Sequence, residues 1–146
     1  MARYLIVAHQ TAESEELRAA ARALAKREPE GEFVLLVPAT PVNSLLLWEE
    51  GETAEIARRR AASARERLLA DGVRVVETRV GDGEPVTAVA DELRRAEYAG
   101  ILVGTLPAGV SRWLRIDLIR RLRRLAAGRD VIHVVSTSAD RVAGIR

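Results

Sequence analysis

Apolar and polar positions along this chain fall into two patterns. Residues 4–9 (YLIVAH), 32–38 (EFVLLVP), 101–104 (ILVG) and 131–135 (VIHVV) are short, nearly unbroken apolar runs. Such runs, rich in β-branched residues, predict strands buried on both faces, as in a parallel sheet. Residues 73–80 instead alternate Val with Arg, Glu and Thr. That is the pattern of a strand wetted on one side, which suits a sheet edge.

Between the strands, apolar residues recur at helical spacing. Glu13 to Glu16 open a helix that runs to about Arg27, with Leu17, Ala20, Ala21, Leu24 and Ala25 as its inner stripe. Pro29 and Gly31 stop it. A second helix covers residues 53–70, with Ile56, Ala57, Ala61, Ala64, Leu68 and Leu69 inward, and Asp71-Gly72 closes it. Gly81 to Pro85 form a turn, and Pro85 suits a first helical position. Residues 86–96 make the third helix, with Val86, Val89, Ala90 and Leu93 inward. Residues 110–127 make the fourth, with Leu114, Leu118, Leu122 and Leu125 on one face and Gly128 after it. The connection 39–52 carries Leu45-Leu46-Leu47-Trp48, expected to tuck onto the core, with a lid or an interface patch as alternatives.

The order is therefore strand and helix in strict alternation, ending on a fifth strand. It predicts an α/β fold: a single-domain three-layer sandwich, 1–137, around a five-stranded parallel sheet, followed by a tail, 138–146. Of the strand orders 2-1-3-4-5 and 3-2-1-4-5, the edge-like third strand selects the second. In that order strands 1 and 4 are neighbours whose connections leave on opposite sides. Ligands bind such sheets at that switch point, here between His9–Ser14 and Gly104–Arg112.

Composition narrows the chemistry. The chain has 146 residues and no Cys, which excludes disulfides, thiolate metal sites and Cys nucleophiles. No apolar run is long enough for a membrane span, and the apolar start is too short and too early for a signal peptide. A cytoplasmic protein is the expectation. Net charge is +2, but residues 101–146 hold nine Arg and three Asp, a net of +6. That predicts a basic surface on the C-terminal part of the chain, either a solvated helix face or an anion-binding surface, with an acidic protein as a further candidate partner. Nucleic acid is disfavoured, since only Trp113 lies in the basic stretch to stack on a base.

Candidate chemistry is sparse. The loop Gly104–Arg112 offers backbone N–H groups, with Thr105, Ser111 and Arg112 as further donors to an anion; a plain loop capped by Ser111 is the other reading. His9, with Gln10 and Thr11 after it, ends the first strand at the switch point. It is either a ligand contact or a satisfied strand-end residue. His133, inside the last strand, reads as structural or interfacial. Gly81-Asp82-Gly83 starts like a dinucleotide fingerprint but has Val86 at the third glycine position. No acid, base and nucleophile converge and no cluster has metal-ligand spacing, so no enzyme activity and no metal site are expected.

Taken together, the opening Leu5 to Thr11, the turn Gly81–Pro85 and the pair Gly104-Thr105 resemble the universal stress protein family, over nearly the whole chain. Ser111 to Asp117 resembles a signature of a divergent, actinobacterial-type branch. The resemblance implies an adenine nucleotide alpha hydrolase-like fold with the 3-2-1-4-5 sheet. It also implies a homodimer through the fifth strand, Val131, Ile132, His133, Val134 and Val135.

Members that bind ATP carry Gly, two residues, Gly, nine residues, Gly, then Ser or Thr. From Gly104, those later positions are Pro107, Asp117 and Leu118 here. Pro has no N–H for a phosphate, and Asp repels one. The family's nucleotide-contacting Asp after the first strand is His9. The full ATP-binding motif is thus absent, and no cofactor is assigned.

The first expectation is a non-catalytic regulatory or stress-response protein with weak or no ATP binding. The second is a nucleotide- or anion-binding module on the modified loop 104–112, where Gly109 restores a phosphate loop in a shifted frame, Arg112 supplies charge, and ATP or another adenine nucleotide is the ligand. The third is a partner-binding protein that docks through the basic helix 110–127.

Overall fold

A computed structural model describes residues 2–40, 50–107 and 115–137, the last two stretches with side chains from Thr53 and Asp117 onward. Five strands alternate with four helices: β1 (Arg3–Val7), α1 (Glu15–Arg27), β2 (Glu32–Pro38), α2 (Glu50–Ala70), β3 (Val75–Gly81), α3 (Pro85–Arg95), β4 (Gly100–Thr105), α4 (Arg115–Ala126) and β5 (Asp130–Val135). The strands form one sheet in the order β3-β2-β1-β4-β5, every pair parallel. That is the expected α/β architecture, with β3 at one edge and β5 at the other.

The unbroken apolar runs account for the centre. Leu5, Ile6 and Val7 of β1 and Val34, Leu35 and Val37 of β2 are fully buried. Alternate side chains enter two separate cores. Ile6, Phe33, Leu35, Val37 and Leu102 meet α1 and α2 on one face. Leu5, Val7, Val34, Ile101 and Val103 meet α3 and α4 on the other. Each fully buried large aliphatic side chain contributes about 1.5–3 kcal/mol, so both helix layers are needed to shield one sheet.

Several boundaries and faces differ from the sequence reading. β1 stops at Val7, so His9 lies beyond the strand; it accepts from the Ala12 N–H and opens a turn. α1 starts at Glu15 because Ser14 caps it, its side chain accepting from the Leu17 N–H at 3.0 Å. α2 begins at Glu50, ahead of the expected 53, and Leu69 is 44% exposed rather than inward. β3 is Val75–Gly81, not 73–80. The expected segments 41–49, 110–114 and 138–146, with Leu45–Trp48 and Leu114, lie outside the described residues.

The Gly-Asp-Gly turn serves packing rather than a cofactor. A Cβ on Gly81 would stand 2.8 Å from the Ala88 Cβ and 3.0 Å from Leu36, so only Gly lets α3 lie this close. The inner face of α3 is also rotated from the expected one. Ala88, Val89 and Glu92 are buried, while Val86, Ala90 and Leu93 are half-buried.

Glu92 is the charged residue that hydrophobic patterning misses. It is 2% exposed, accepts from Arg79 Nε at 2.6 Å and from the Tyr98 hydroxyl at 3.1 Å. A buried carboxylate is tolerated only when so paired. Burial, and then the Glu92 carboxylate, push the Tyr98 phenol well above its usual range.

Glu92→Ala would leave the Tyr98 hydroxyl and the Arg79 guanidinium without their acceptor. With Arg79 partly solvated, the expected loss is about 2–3 kcal/mol, a fall in Tm of roughly 5–10 °C by thermal denaturation. The native state also holds the Tyr98 proton after the unfolded chain has lost it. Stability should therefore be unaffected by this group below about pH 10 and decline as pH rises above it. Tyr98→Phe should make that alkaline decline shallower in denaturant titrations.

Candidate functional site

Val7 of β1 stands beside Val103 of β4, so the two strands end side by side. β1 feeds α1 on one face of the sheet, and β4 leads toward α4 on the other. The switch point anticipated from strand order is therefore present. Around it lie His9, Gln10 and Thr11 from the first loop and Gly104 and Thr105 from the end of β4. Gly109, Ser111 and Arg112 lie outside the described residues, so the outer half of the loop 104–112 is not part of this geometry.

Most of the residues that meet here are closed to solvent. His9 is 3% exposed, Thr11 2%, Thr105 2%, and Ala12 is fully buried. Gln10 is half-buried. Above Gly104 there is no free seat: a Cβ there would come 2.6 Å from Thr11 Oγ1 and 3.2 Å from Leu17 Cδ1. Thr11 fills the space that a glycine at a strand end otherwise leaves for a ligand. Its hydroxyl has no hydrogen-bond partner among the described residues.

The loop is held from both sides. Toward α2, Glu13 takes Arg67 Nε at 2.8 Å and the Ser63 hydroxyl at 2.9 Å. Arg60 Nη1 reaches the His9 carbonyl at 3.5 Å. Toward the end of β5, the hydroxyls of Ser14 and Ser136 share a buried 2.8 Å hydrogen bond. Glu16 accepts from the Thr137 N–H and hydroxyl, each at 3.2 Å. The Ser136 N–H donates to the Thr105 carbonyl at 2.8 Å, so the exit from β5 is tied to β4.

His133 belongs to this seam. Its Nε2 is 2.8 Å from the Thr105 hydroxyl, and either atom can donate. The distance is that of a nucleophile and its base. The burial of Thr105 removes the access that a nucleophile needs, which leaves a cross-strand bond joining β4 to β5. Ser14 and Ser136 were not singled out in the sequence. The signal for Ser14 was there, a Ser directly before an acidic first turn.

The nucleotide-motif positions read from Gly104 can now be placed. Asp117 is exposed in the first turn of α4, 3.8 Å from Arg121. Leu118, where ATP-binding members have Ser or Thr, is 4% exposed in the core. The fifth strand lies at an edge of the sheet, with Val131, Ile132, His133 and Val134 half-buried and Val135 38% exposed. No helix among the described residues is long and apolar enough to cross a membrane.

Compared by sequence, the chain matches no protein-family model and no curated protein. Compared by structure, it shares its fold with universal stress proteins. One from Archaeoglobus fulgidus superposes with a TM-score of 0.62 at 17% identity, covering 92% of this chain and 99% of that one. A universal stress protein in complex with cAMP gives 0.60 at 17% identity, covering 93% and 98%. One from Arabidopsis thaliana with AMP bound gives 0.58 at 10% identity, covering 94% of each. The five-stranded 3-2-1-4-5 architecture expected from the resemblance is thus the architecture of those proteins.

The contact over Gly104 makes a specific prediction. Gly104→Ala forces a methyl against Thr11 and should cost about 1–3 kcal/mol in denaturant unfolding. In a Thr11→Ala background, which removes the obstructing hydroxyl, most of that cost should vanish, a coupling of about 1–2 kcal/mol in the double-mutant cycle.

Proposed function

We propose that this chain is a non-catalytic regulatory or stress-linked protein of the universal stress type, cytoplasmic and homodimeric, with weak or no affinity for ATP. The observation that carries this reading is the fold, shared with universal stress proteins over more than nine-tenths of the chain. Weak nucleotide affinity is supported by the strand ends. Thr11 occupies the space above Gly104, Leu118 is core, and Pro107 has no N–H to give a phosphate. A non-catalytic role is supported by the burial of His9 and Thr105, the groups best suited to acid–base or nucleophilic work. Dimerisation through β5 is supported by its place at the sheet edge, where no further strand pairs with it among the described residues, and by its largely apolar sequence, which a second copy would cover.

A second reading keeps the nucleotide. Solved proteins of this fold carry cAMP and AMP. An adenine nucleotide here would use the loop 104–112, with Arg112 as its cation, and displace Thr11 from above Gly104.

Native mass spectrometry of the purified protein, with and without added Mg-ATP, separates these readings. The expected result is a dimer whose mass does not change on adding ATP. A dimer that takes up one nucleotide per chain would establish the second reading. A monomer would remove the β5 interface.

A further inference from the structure

Many arginines among the described residues stand beside an acid. Arg18 and Arg22 flank Asp71, Arg58 and Arg59 flank Glu55, Arg67 meets Glu13, and Arg79 and Arg95 meet Glu92. Arg27, Arg65 and Arg74 have no ion-pair partner among the described residues and lie on different segments; on α4, beside the paired Arg121, three such arginines come together. Arg120, Arg123 and Arg124 are exposed, and none has an ion-pair partner among the described residues. They stand at i, i+3 and i+4, so their side chains rise together from one stretch of helix. Leu118, Ile119, Leu122 and Ala126 bury the opposite face of α4, which keeps the three guanidiniums turned to solvent.

We propose that the Arg120–Arg123–Arg124 ridge of α4 is a docking surface for an acidic helical segment of a partner protein, one that presents carboxylates at i and i+3 or i+4. This goes beyond the regulatory reading and does not depend on the dimer. Four residues of helix rise about 6 Å, and carboxylates at i and i+4 on a facing helix have that same spacing. A guanidinium also presents a planar fork that a carboxylate can meet with two hydrogen bonds.

The surroundings favour a short acidic segment over a nucleic acid. Toward α3 the ridge is bounded by Glu84 and Asp117, both held by Arg121, at 3.7 and 3.8 Å. Those carboxylates repel any anion that runs on in their direction, so the ridge suits a short acidic segment rather than a long phosphate chain. The described residues 117–126 of α4 include no aromatic side chain on which a base could stack.

The test is fluorescence anisotropy with a labelled, helix-forming peptide whose glutamates recur at i, i+3 and i+4, at low and at physiological salt. Arg120→Glu, Arg123→Glu and Arg124→Glu combined should weaken binding by about tenfold or more, and the three Gln substitutions by less. Arg27→Glu, Arg65→Glu and Arg74→Glu combined change net charge equally at exposed positions on other elements. That control should weaken binding by less than about twofold. Circular dichroism melts establish that each variant is folded. Equal losses in the α4 and control variants would overturn the proposal, since only overall charge would then matter. So would absence of peptide binding, or tighter α4-dependent binding of a DNA duplex than of the peptide.

Discussion

The centre of this protein is β1 lying between β2 and β4, three parallel strands whose side chains are apolar on both faces. Neither face of such a sheet tolerates water, and parallel neighbours cannot be joined by a tight hairpin. Each strand must therefore return through a helix, and helices must cover both sides. Phe33, Leu35 and Ile6 receive α1 and α2; Val7, Val34 and Val103 receive α3 and α4. The place where β1 and β4 send their chains to opposite faces follows from the same requirement.

That place is where a ligand cleft is expected in an open α/β sheet. Here its inner part is made of contacts internal to the protein. Thr11 and Leu17 lie over Gly104, Ser14 bonds Ser136, and Thr105 bonds His133. The hydroxyl side chains near the end of β4 instead join β4 to β5 and the start of α1 to the exit from β5. This is why the same residues read as a site in sequence and as a seam in structure. The adenine nucleotides carried by solved proteins of this fold show that the architecture admits such a ligand. They do not transfer it to a chain whose motif positions hold Pro107, Asp117 and Leu118.

Charge follows a comparable division. Glu15, Glu55 and Asp91 on α1, α2 and α3, and Asp71 just after α2, pair with nearby arginines, and Glu92 is held in the core by Arg79 and Tyr98. Three arginines of the last third, Arg120, Arg123 and Arg124, stand on α4 without an ion-pair partner among the described residues.

The fold was legible because its signals are local. Unbroken runs such as Leu5 to Val7, the mixed apolar and polar pattern in Val73 to Val80, the helical stripe Leu17-Ala21-Leu24 and the terminators after each helix are read within a few residues. Together they were enough for element order and strand order. Helix faces were less secure: Glu92 sits at i+4 from Ala88 and at i+3 from Val89, a spacing that points inward, yet a carboxylate gives no apolar signal. The candidate site was legible in location but not in state. Sequence alone determined that His9, Thr11, Gly104 and Thr105 would gather at the ends of β1 and β4. Only the tertiary structure decided that they meet one another rather than solvent. The deciding contacts join Thr105 to His133, 28 positions apart, and Ser14 to Ser136, 122 apart, and such contacts exist only once the sheet has brought distant strand ends together.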